Sequence, residues 1–254
     1  EEPNPALLKE KLLENPYIMI KISGIGFKTV DSLALKLKPE IRESKYRTYS
    51  FINYYLRHIG ETEGHTWVSK SELENAVRDN IHECMSCYKE LIEQQNLKDN
   101  NNSFLHICKN RVGLESYFTT EKNIFDILLH LESFQNDWKV DVESGILESE
   151  KEQGFLFSDE QKEIIRRAVK SNVVLISGYA GTGKTTISRA LLKIYKNYSI
   201  SCCALSAKAA QRITEATGYP ASTIHRLLGS NGTSFVHDYN NPLASDVVLI
   251  DECS

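Results

Sequence analysis

The sequence contains no apolar run of 18 residues, and its first ten residues are acidic and polar. The first absence argues against a membrane-spanning helix and the second against a secretory signal peptide, so a cytoplasmic protein is expected. An initiator Met is also lacking, and the last residues directly follow an apolar run typical of a strand. These two features predict that the sequence is a piece of a longer protein.

Neither sign of charge is in large excess over the whole chain. Its 254 residues include 30 Lys and Arg and 34 Asp and Glu, with 41% hydrophobic residues, as in an ordinary globular protein of two domains. The acidic residues concentrate in 61–150, which has 18 of them against 8 basic ones. The flanking parts, 1–60 and 151–254, each have a small basic excess, so contact with nucleic acid is expected at either end of the chain.

The six cysteines show no disulfide framework and are expected to be thiols. Four possible zinc ligands do occur, at Cys84, Cys87, His106 and Cys108. Cys84, however, follows the apolar residue Ile81 at helical spacing, which favours a small core residue over a zinc ligand.

The most informative stretch is Gly178-Tyr-Ala-Gly-Thr-Gly-Lys-Thr185, which fits G-x-x-x-x-G-K-[ST]. Loops of this pattern hold the phosphates of a nucleoside triphosphate on backbone amides. Lys184 is expected at the β- and γ-phosphates and Thr185 at Mg²⁺. The residues predicted to contact ATP here are Gly178, Tyr179, Ala180, Gly181, Thr182, Gly183, Lys184, Thr185 and Thr186.

The surroundings of this loop predict an α/β P-loop domain over 155–254. Apolar runs predict strands at 173–177, 200–205 and 247–251, and amphipathic patterns predict helices at 159–170, 184–196 and 207–217. Alternating strands and helices of this kind form a doubly wound parallel sheet. The polar segment 139–154 is interpreted as the linker that precedes this domain.

Two carboxylates follow the last predicted strand. Asp251 is predicted to bind Mg²⁺ together with Thr185, and Glu252 to polarise the attacking water, so Lys184, Asp251 and Glu252 are the predicted catalytic residues. An acidic pair at this position favours hydrolysis of ATP over transfer of its phosphate to a small molecule.

The region 1–60 predicts two short helices joined through Gly24-Ile-Gly26, a helix-hairpin-helix. Its exposed amides, with Lys28 and Thr29, could hold a DNA phosphate without reading sequence, or the hairpin could serve packing alone. A further helix is predicted at 41–58. It is rich in aromatic residues, which either stack on bases or form core.

The acidic region 61–138 predicts helices near 70–80, 83–96 and 121–133 and a short strand at 104–108. Helices followed by a small hairpin suggest a winged-helix-like module. The negative charge of this region argues against its direct binding to duplex DNA.

Gln161 lies 17 residues before Gly178 and three after Ser158. The second spacing is that of a capping box, in which Gln161 only completes a helix start. The alternative is an amide that recognises adenine, and both interpretations stay open.

These motifs together resemble the RecD/TraA family of superfamily 1 DNA helicases. The resemblance rests on Gln161, the phosphate loop, the segments Leu205–Gly218 and Thr223–Leu228, and Asp251-Glu252. The N-terminal Asn15-Pro-Tyr17 and Gly24–Thr29 resemble the extension of stand-alone RecD-like members, related to exodeoxyribonuclease V alpha subunits.

The resemblance implies an ATP-dependent helicase that moves 5′ to 3′ on DNA by closing two RecA-like domains. It implies that Gln161 binds adenine, that Ser206 and Lys208 touch single-stranded DNA, and that His225 links the nucleotide state to the grip on DNA. This chain would hold only part of the first RecA-like domain and would be inactive alone. Protein partners are not indicated.

Two alternatives belong to other classes of protein. One is a module that binds a DNA junction or a protein partner and carries a nucleotide site that does not hydrolyse. The other is a nucleotide kinase, which Gln161 and the Thr223–Leu228 segment disfavour.

Overall fold

A computed structural model describes residues 5–22, 24–97, 103–135, 137–179 and 181–253. The chain forms two compact units, Glu1–Asp126 and Ile127–Ser254, and each is described by itself. None of the described helices combines the length and the apolar composition needed to cross a membrane.

Unit 1 begins with the helices that frame the predicted hairpin. They are α1 (Pro5–Glu14), a 3₁₀ helix (Pro16–Lys21) and α2 (Phe27–Leu37). Asn15 caps the 3₁₀ helix by accepting a 3.1 Å hydrogen bond from the Tyr17 amide, and Pro16 occupies the first helical position. The first helix of the hairpin is therefore 3₁₀ rather than α.

The remainder of unit 1 is a helical module closed by a small antiparallel sheet. Its helices are α3 (Lys45–Glu63), α4 (Lys70–Ile81), α5 (Met85–Leu97) and the start of α6 (Glu115–Glu132). Its strands are β1 (Trp67–Ser69), β2 (Leu105–Cys108) and β3 (Arg111–Leu114), in the sheet order β1-β3-β2. The pairs Val68↔Val112 and Ile107↔Val112 fix the register, with Val112 fully buried.

A single cluster of buried side chains runs through unit 1. Phe27 of α2 lies 5.5 Å, between ring centroids, from Phe51 of α3 and 5.5 Å from Tyr54. The aromatic residues of α3 therefore point in part into the core, as the second of the two interpretations held.

An ion-pair network ties the hairpin to the rest of unit 1. Arg47 of α3 has only 6% of its side chain exposed and donates to both carboxylate oxygens of Asp31 on α2, at 2.9 and 3.0 Å. The same guanidinium donates at 3.2 Å to Glu83, which follows α4. The Tyr17 hydroxyl donates to Asp31 at 2.6 Å, and burial, followed by this hydrogen bond, raises the pKa of Tyr17.

The possible zinc ligands make other contacts. The thiols of Cys84 and Cys87 donate to the backbone carbonyls of Arg42 and Glu43, and burial raises the pKa of Cys84. His106 stacks on Phe118 and lies 3.2 Å from a carboxylate oxygen of Glu115.

Unit 2 is built from helices and a three-stranded parallel sheet. The helices are α7 (Val142–Gln153), α8 (Asp159–Ala168), α9 (Lys184–Ile194), α10 (Ala207–Thr217) and α11 (Ile224–Leu227). The strands are β4 (Ile200–Ala204), β5 (Ala221–Thr223) and β6 (Val247–Asp251), in the order β5-β4-β6. The register Ala204↔Asp251 brings the carboxyl ends of β4 and β6 to the same edge.

The segment interpreted as a linker, 139–154, contains helix α7. Asp141 caps it, and Gly154 ends it in the left-handed region at φ 75°. Its Glu143 accepts from Arg166 of α8 at 2.6 and 3.0 Å, which together with the charge of Arg166 lowers the pKa of Glu143. The linker prediction is wrong because the acidic residues of this segment pair with distant cations. The sequence does not show these pairs, so the segment has the composition of a solvated linker.

The strand predicted at 173–177 is not formed in the structure. The Glu132 carboxylate accepts from the amides of Asn172 and Val173 at 3.0 and 2.8 Å, so the start of the run bonds to a side chain rather than to a neighbouring strand. Leu175 is 85% exposed, and a cavity of about 260 Å³ lies between the run and α8. An apolar composition alone does not supply the hydrogen-bonding edge that a strand needs.

We expect Arg47→Ala to lower the free energy of unfolding of unit 1 by about 3–5 kcal/mol, because it leaves the mostly buried Asp31 carboxylate without its cation, while Glu83 keeps its pair with Arg42 at 2.9 Å. Urea denaturation of the chain followed by circular dichroism measures this. Arg57→Ala is the matched control, since Arg57 lies exposed on the same helix and donates to Asn53. Its effect should stay within about 0.5 kcal/mol, and equal effects of the two substitutions would refute a special role of the Asp31 and Glu83 pairs.

Candidate functional site

The Gly178–Thr185 loop turns tightly before α9. Gly181 and Gly183 have φ values of 81° and 88°, a region that favours glycine. A Cβ at Gly178 would lie 2.7 Å from Thr182 Oγ1, and one at Gly183 would lie 2.4 Å from Gln161 Nε2. A side chain at Gly178 or Gly183 would therefore displace Thr182 or Gln161, whereas at Gly181 the positive φ alone favours glycine.

Lys184 and Thr182 bond within the loop. The Lys184 ammonium donates to the carbonyls of Gly178 and Tyr179 at 2.6 and 2.9 Å, and the Thr182 hydroxyl donates to Tyr179 at 2.9 Å. A cation that rests on backbone carbonyls at the loop is placed to meet an anion there. Ala180, which was also predicted to contact nucleotide, lies outside the described residues.

The N-terminus of α9 supplies further donors. Gly183 is its N-cap and makes no side-chain capping hydrogen bond. The first bond of the i to i−4 type runs from Ile187 to Gly183, so the preceding amides, including those of Thr185 and Thr186, have no intrahelical carbonyl to meet. Uncapped amides and the helix dipole favour an anion at this end, and the Thr185 side chain is exposed there.

Gln161 does two things at once. Its Oε1 accepts from the Ser158 amide at 3.1 Å while Ser158 Oγ accepts from the Gln161 amide at 3.2 Å, which completes the capping box of α8. Its Nε2 donates to the Thr182 carbonyl at 3.4 Å. The capping role is present in the structure, and the same amide group reaches the loop.

Asp251 and Glu252 lie at the carboxyl end of β6, with exposed side chains. The Glu252 amide donates to Asp251 Oδ1 at 3.0 Å, and Glu252 has a φ of 55°, in the left-handed region. Such a backbone costs a non-glycine residue roughly 1–3 kcal/mol and is typical of functional positions.

A cavity of about 280 Å³ connects Glu252 with the start of α10. Lys208 and Arg212 line it from one helix face, beside Leu205 and Ser206. Ser206 is the N-cap of α10, where its hydroxyl accepts from the Ala209 amide at 3.1 Å. Arg212 was not among the predicted site residues, although its helical spacing from Lys208 was available in the sequence.

His225 lies exposed on α11. Its helix is capped by Thr223, whose hydroxyl accepts from the Arg226 amide at 3.2 Å. The His225 ring centroid lies 6.1 Å from that of Phe235, in a tilted arrangement.

The residues predicted in the N-terminal hairpin are exposed. Gly24 has a φ of 86°, and Gly26 is the N-cap of α2, without a side-chain capping bond. Lys28 and Thr29 lie in the first turn of α2, and nothing lies within 4 Å of a Cβ built at either glycine. The Ile25 amide donates to the Ile22 carbonyl at 3.1 Å, whereas the first turn of α2 has no side-chain cap, so its amides are open to an anion.

The structure brings some of these residues together and leaves others apart. Gln161 reaches the loop, and Glu252 shares a cavity with Lys208. Among the described residues, no hydrogen bond or ion pair joins Lys184 or Thr185 to Asp251. At the loop and at the start of α9, the glycine positions and the uncapped amides support the binding of a nucleotide.

Comparison with known proteins relates both units to DNA helicases. Residues 6–67 match the family of the "ATP-dependent RecD2 DNA helicase HHH domain", and residues 161–254 match an "AAA domain" family. The ATP-dependent RecD2 DNA helicase of Deinococcus radiodurans is 24% identical over 96% of this chain and 35% of its own length. The RecBCD enzyme subunit RecD of Haemophilus influenzae is 35% identical over 38% of this chain and 20% of its own length.

A second RecBCD enzyme subunit RecD, from Mycolicibacterium smegmatis, is 29% identical over 56% of this chain and 29% of its own length. The chain thus spans about a third or less of the length of these relatives.

We expect Gly183→Ala to weaken the binding of a fluorescent ATP analogue at least about tenfold, because its Cβ enters the place of the Gln161 amide and strains a positive φ. Gly232→Ala is the matched control. Gly232 has a φ of 94° with nothing within 4 Å of its Cβ, so it carries the same backbone strain away from the loop. If both substitutions weaken the analogue equally, general strain rather than the loop is responsible.

Proposed function

We propose that the chain is part of a RecD-like helicase and that its function is ATP-dependent unwinding of DNA in recombination or repair. One observation carries this proposal: the Gln161 amide bonds to a glycine loop that leads into an uncapped helix. The match of residues 6–67 to a RecD2 helicase domain supports DNA as the second ligand.

In the nucleotide site, each residue has one task. The Lys184 ammonium leaves the carbonyls of Gly178 and Tyr179 for the β- and γ-phosphates, and the amides of Thr185 and Thr186 hold phosphate oxygens. The hydroxyl of Thr185 and the carboxylate of Asp251 would hold Mg²⁺, which would supply positive charge against the phosphates. Glu252 orients the attacking water.

The task of Asp251 requires that it approach Thr185. We propose that nucleotide binding brings the loop and the carboxyl end of β6 together, as in a RecA-like domain.

The hairpin in unit 1 is proposed as a DNA-phosphate site. The amides around Gly24 and Gly26 and the side chains of Lys28 and Thr29 face outward at the start of α2. Contacts of this kind position a protein on DNA without selecting a sequence.

Unit 2 offers a second DNA contact at the carboxyl edge of its sheet. Lys208 is exposed beside the cap residue Ser206, and His225 is exposed on α11. We propose that Lys208 pairs with a phosphate of single-stranded DNA and that His225 relays the state of the nucleotide site.

The module from α3 to β3 is proposed to be winged-helix-like. Its element order α3-β1-α4-α5-β2-β3 and its sheet order β1-β3-β2 support this. The acidic composition of residues 61–150 favours a role other than duplex binding for this module.

Movement from 5′ to 3′ and action as a stand-alone helicase complete the proposal. The stand-alone form is favoured because the N-terminal match is to a RecD2 domain. Residues 1–254 by themselves are expected to bind nucleotide weakly and not to turn it over, since the resemblance assigns the arginines that stabilise the transferred phosphate to a second motor domain.

We expect the full-length protein to hydrolyse ATP faster in the presence of single-stranded DNA, and Lys184→Ala to lower this rate at least about 100-fold, because it removes the cation at the phosphates. The measurement is steady-state ATP hydrolysis with and without DNA. Unwinding of duplexes with either a 5′ or a 3′ single-stranded tail then gives the direction.

Hydrolysis that does not respond to DNA, or that survives Lys184→Ala, would contradict the proposal. Nucleotide binding without hydrolysis would favour the alternative of a DNA-junction or partner-binding module.

A further inference from the structure

Glu150 is a buried acidic residue for which the proposed mechanism has no use. It lies on α7 and is 7% exposed. One oxygen of its carboxylate accepts two hydrogen bonds, from the Phe157 amide at 2.9 Å and from the Lys162 ammonium at 2.9 Å. These two bonds, the one from Lys162 first, lower the pKa of Glu150, so the side chain is ionised at neutral pH.

The two donors bracket the start of α8. Phe157 directly precedes the cap residue Ser158, and Lys162 directly follows Gln161. A single carboxylate thus holds both ends of the short segment that carries the capping box. Phe157 is itself buried, at 4% exposure, so the segment is fixed by packing on one side and by Glu150 on the other.

Helix α7, which carries this carboxylate, is held in place by its contacts with α8 and α9. A Cβ at Gly145 would lie 2.4 Å from Ile194 Cγ1, so α7 and α9 cross at close contact. Glu143 binds Arg166 of α8 with two hydrogen bonds, and Ile146 is buried in the same core as Ile165 and Ile187. α7 therefore packs against the helix that follows the phosphate loop and is tied to the helix that carries Gln161.

The position of Gln161 depends on this arrangement. Its Oε1 is occupied by the Ser158 amide, and its Nε2 reaches Thr182 in the loop at 3.4 Å. A hydrogen bond of this length has little tolerance, because a further displacement of a few tenths of an ångström would lose it.

We propose that Glu150 is a positioning residue for nucleobase recognition, which sets the place of the Gln161 amide beside the phosphate loop by holding Phe157 and Lys162. The inference rests on the proposed function, because it takes Gln161 as the group that meets adenine. Glu150 touches neither nucleotide nor water in this role. Its effect is on the choice between adenine and guanine nucleotides rather than on the chemical step.

The test compares ATP with GTP in the full-length protein. Glu150→Gln keeps the size of the side chain and an acceptor for the Phe157 amide, but it removes the charge that holds Lys162. We expect the KM for ATP to rise about tenfold, with kcat and the KM for GTP unchanged within about twofold, so that selectivity for ATP falls about tenfold. The affinities of fluorescent ATP and GTP analogues, measured without turnover, should change in the same ratio.

Two further variants sharpen the test. Glu148→Gln is the matched control, since Glu148 lies on the same helix, is 47% exposed and pairs with Lys196 at 3.1 Å, away from the capping box. It should leave the ratio of the affinities for ATP and GTP unchanged. Lys162→Met removes the other half of the pair, should lower the ratio about threefold, and carries the test if Glu150→Gln fails to fold.

An ATP to GTP ratio that stays unchanged in the folded Glu150→Gln or Lys162→Met variant would overturn the inference, even if activity or thermal stability fell. A wild-type protein that binds ATP and GTP equally would also overturn it, while leaving DNA unwinding intact. Failure of the wild-type protein to hydrolyse ATP in response to DNA counts instead against the proposed function, and the binding ratio then still decides the role of Glu150.

Discussion

Helix α9 begins with amide groups that no side chain caps, and the nucleotide site depends on how that helix is nonetheless held in place. Its side chains enter two separate clusters of buried residues. Ile187 and Ala190 pack in the cluster that includes Ile146 of α7, and Leu192 packs in the cluster of β4 and α10. Burial on both sides stabilises the helix along its length, so its first turn can stay open to an anion.

The sequence predicts the regular parts of unit 2 well, because their periodicity is local. α8, α9, α10, β4 and β6 lie within a few residues of their predicted bounds. Two segments are predicted wrongly because their structure depends on which other parts of the chain they contact. The run 173–177 has the composition of a strand but no neighbouring edge, and α7 has the composition of a linker because its carboxylates are matched by cations elsewhere in the chain.

In the candidate site as well, features set by residues close in sequence are predicted, and contacts between distant residues are not. The glycine pattern predicts the loop, and the spacing from Ser158 predicts the capping box, both of which the structure contains. No local signal marks Glu150, since its partners become neighbours only after α7 folds onto α8. The helical spacing of Lys208 and Arg212 is visible in the sequence, but no sequence pattern predicts that Glu252 lines the same cavity.

The contact of Arg47 with Asp31 and Glu83 has a mechanical consequence. Because it ties α2 to α3 and to the end of α4, the hairpin is attached rigidly to the rest of unit 1 rather than through a flexible hinge. A force applied to a phosphate held at Gly24 and Gly26 would load the core of unit 1 directly. The guanidinium of Arg47 keeps its charge at any physiological pH, so the cation of this attachment is always present.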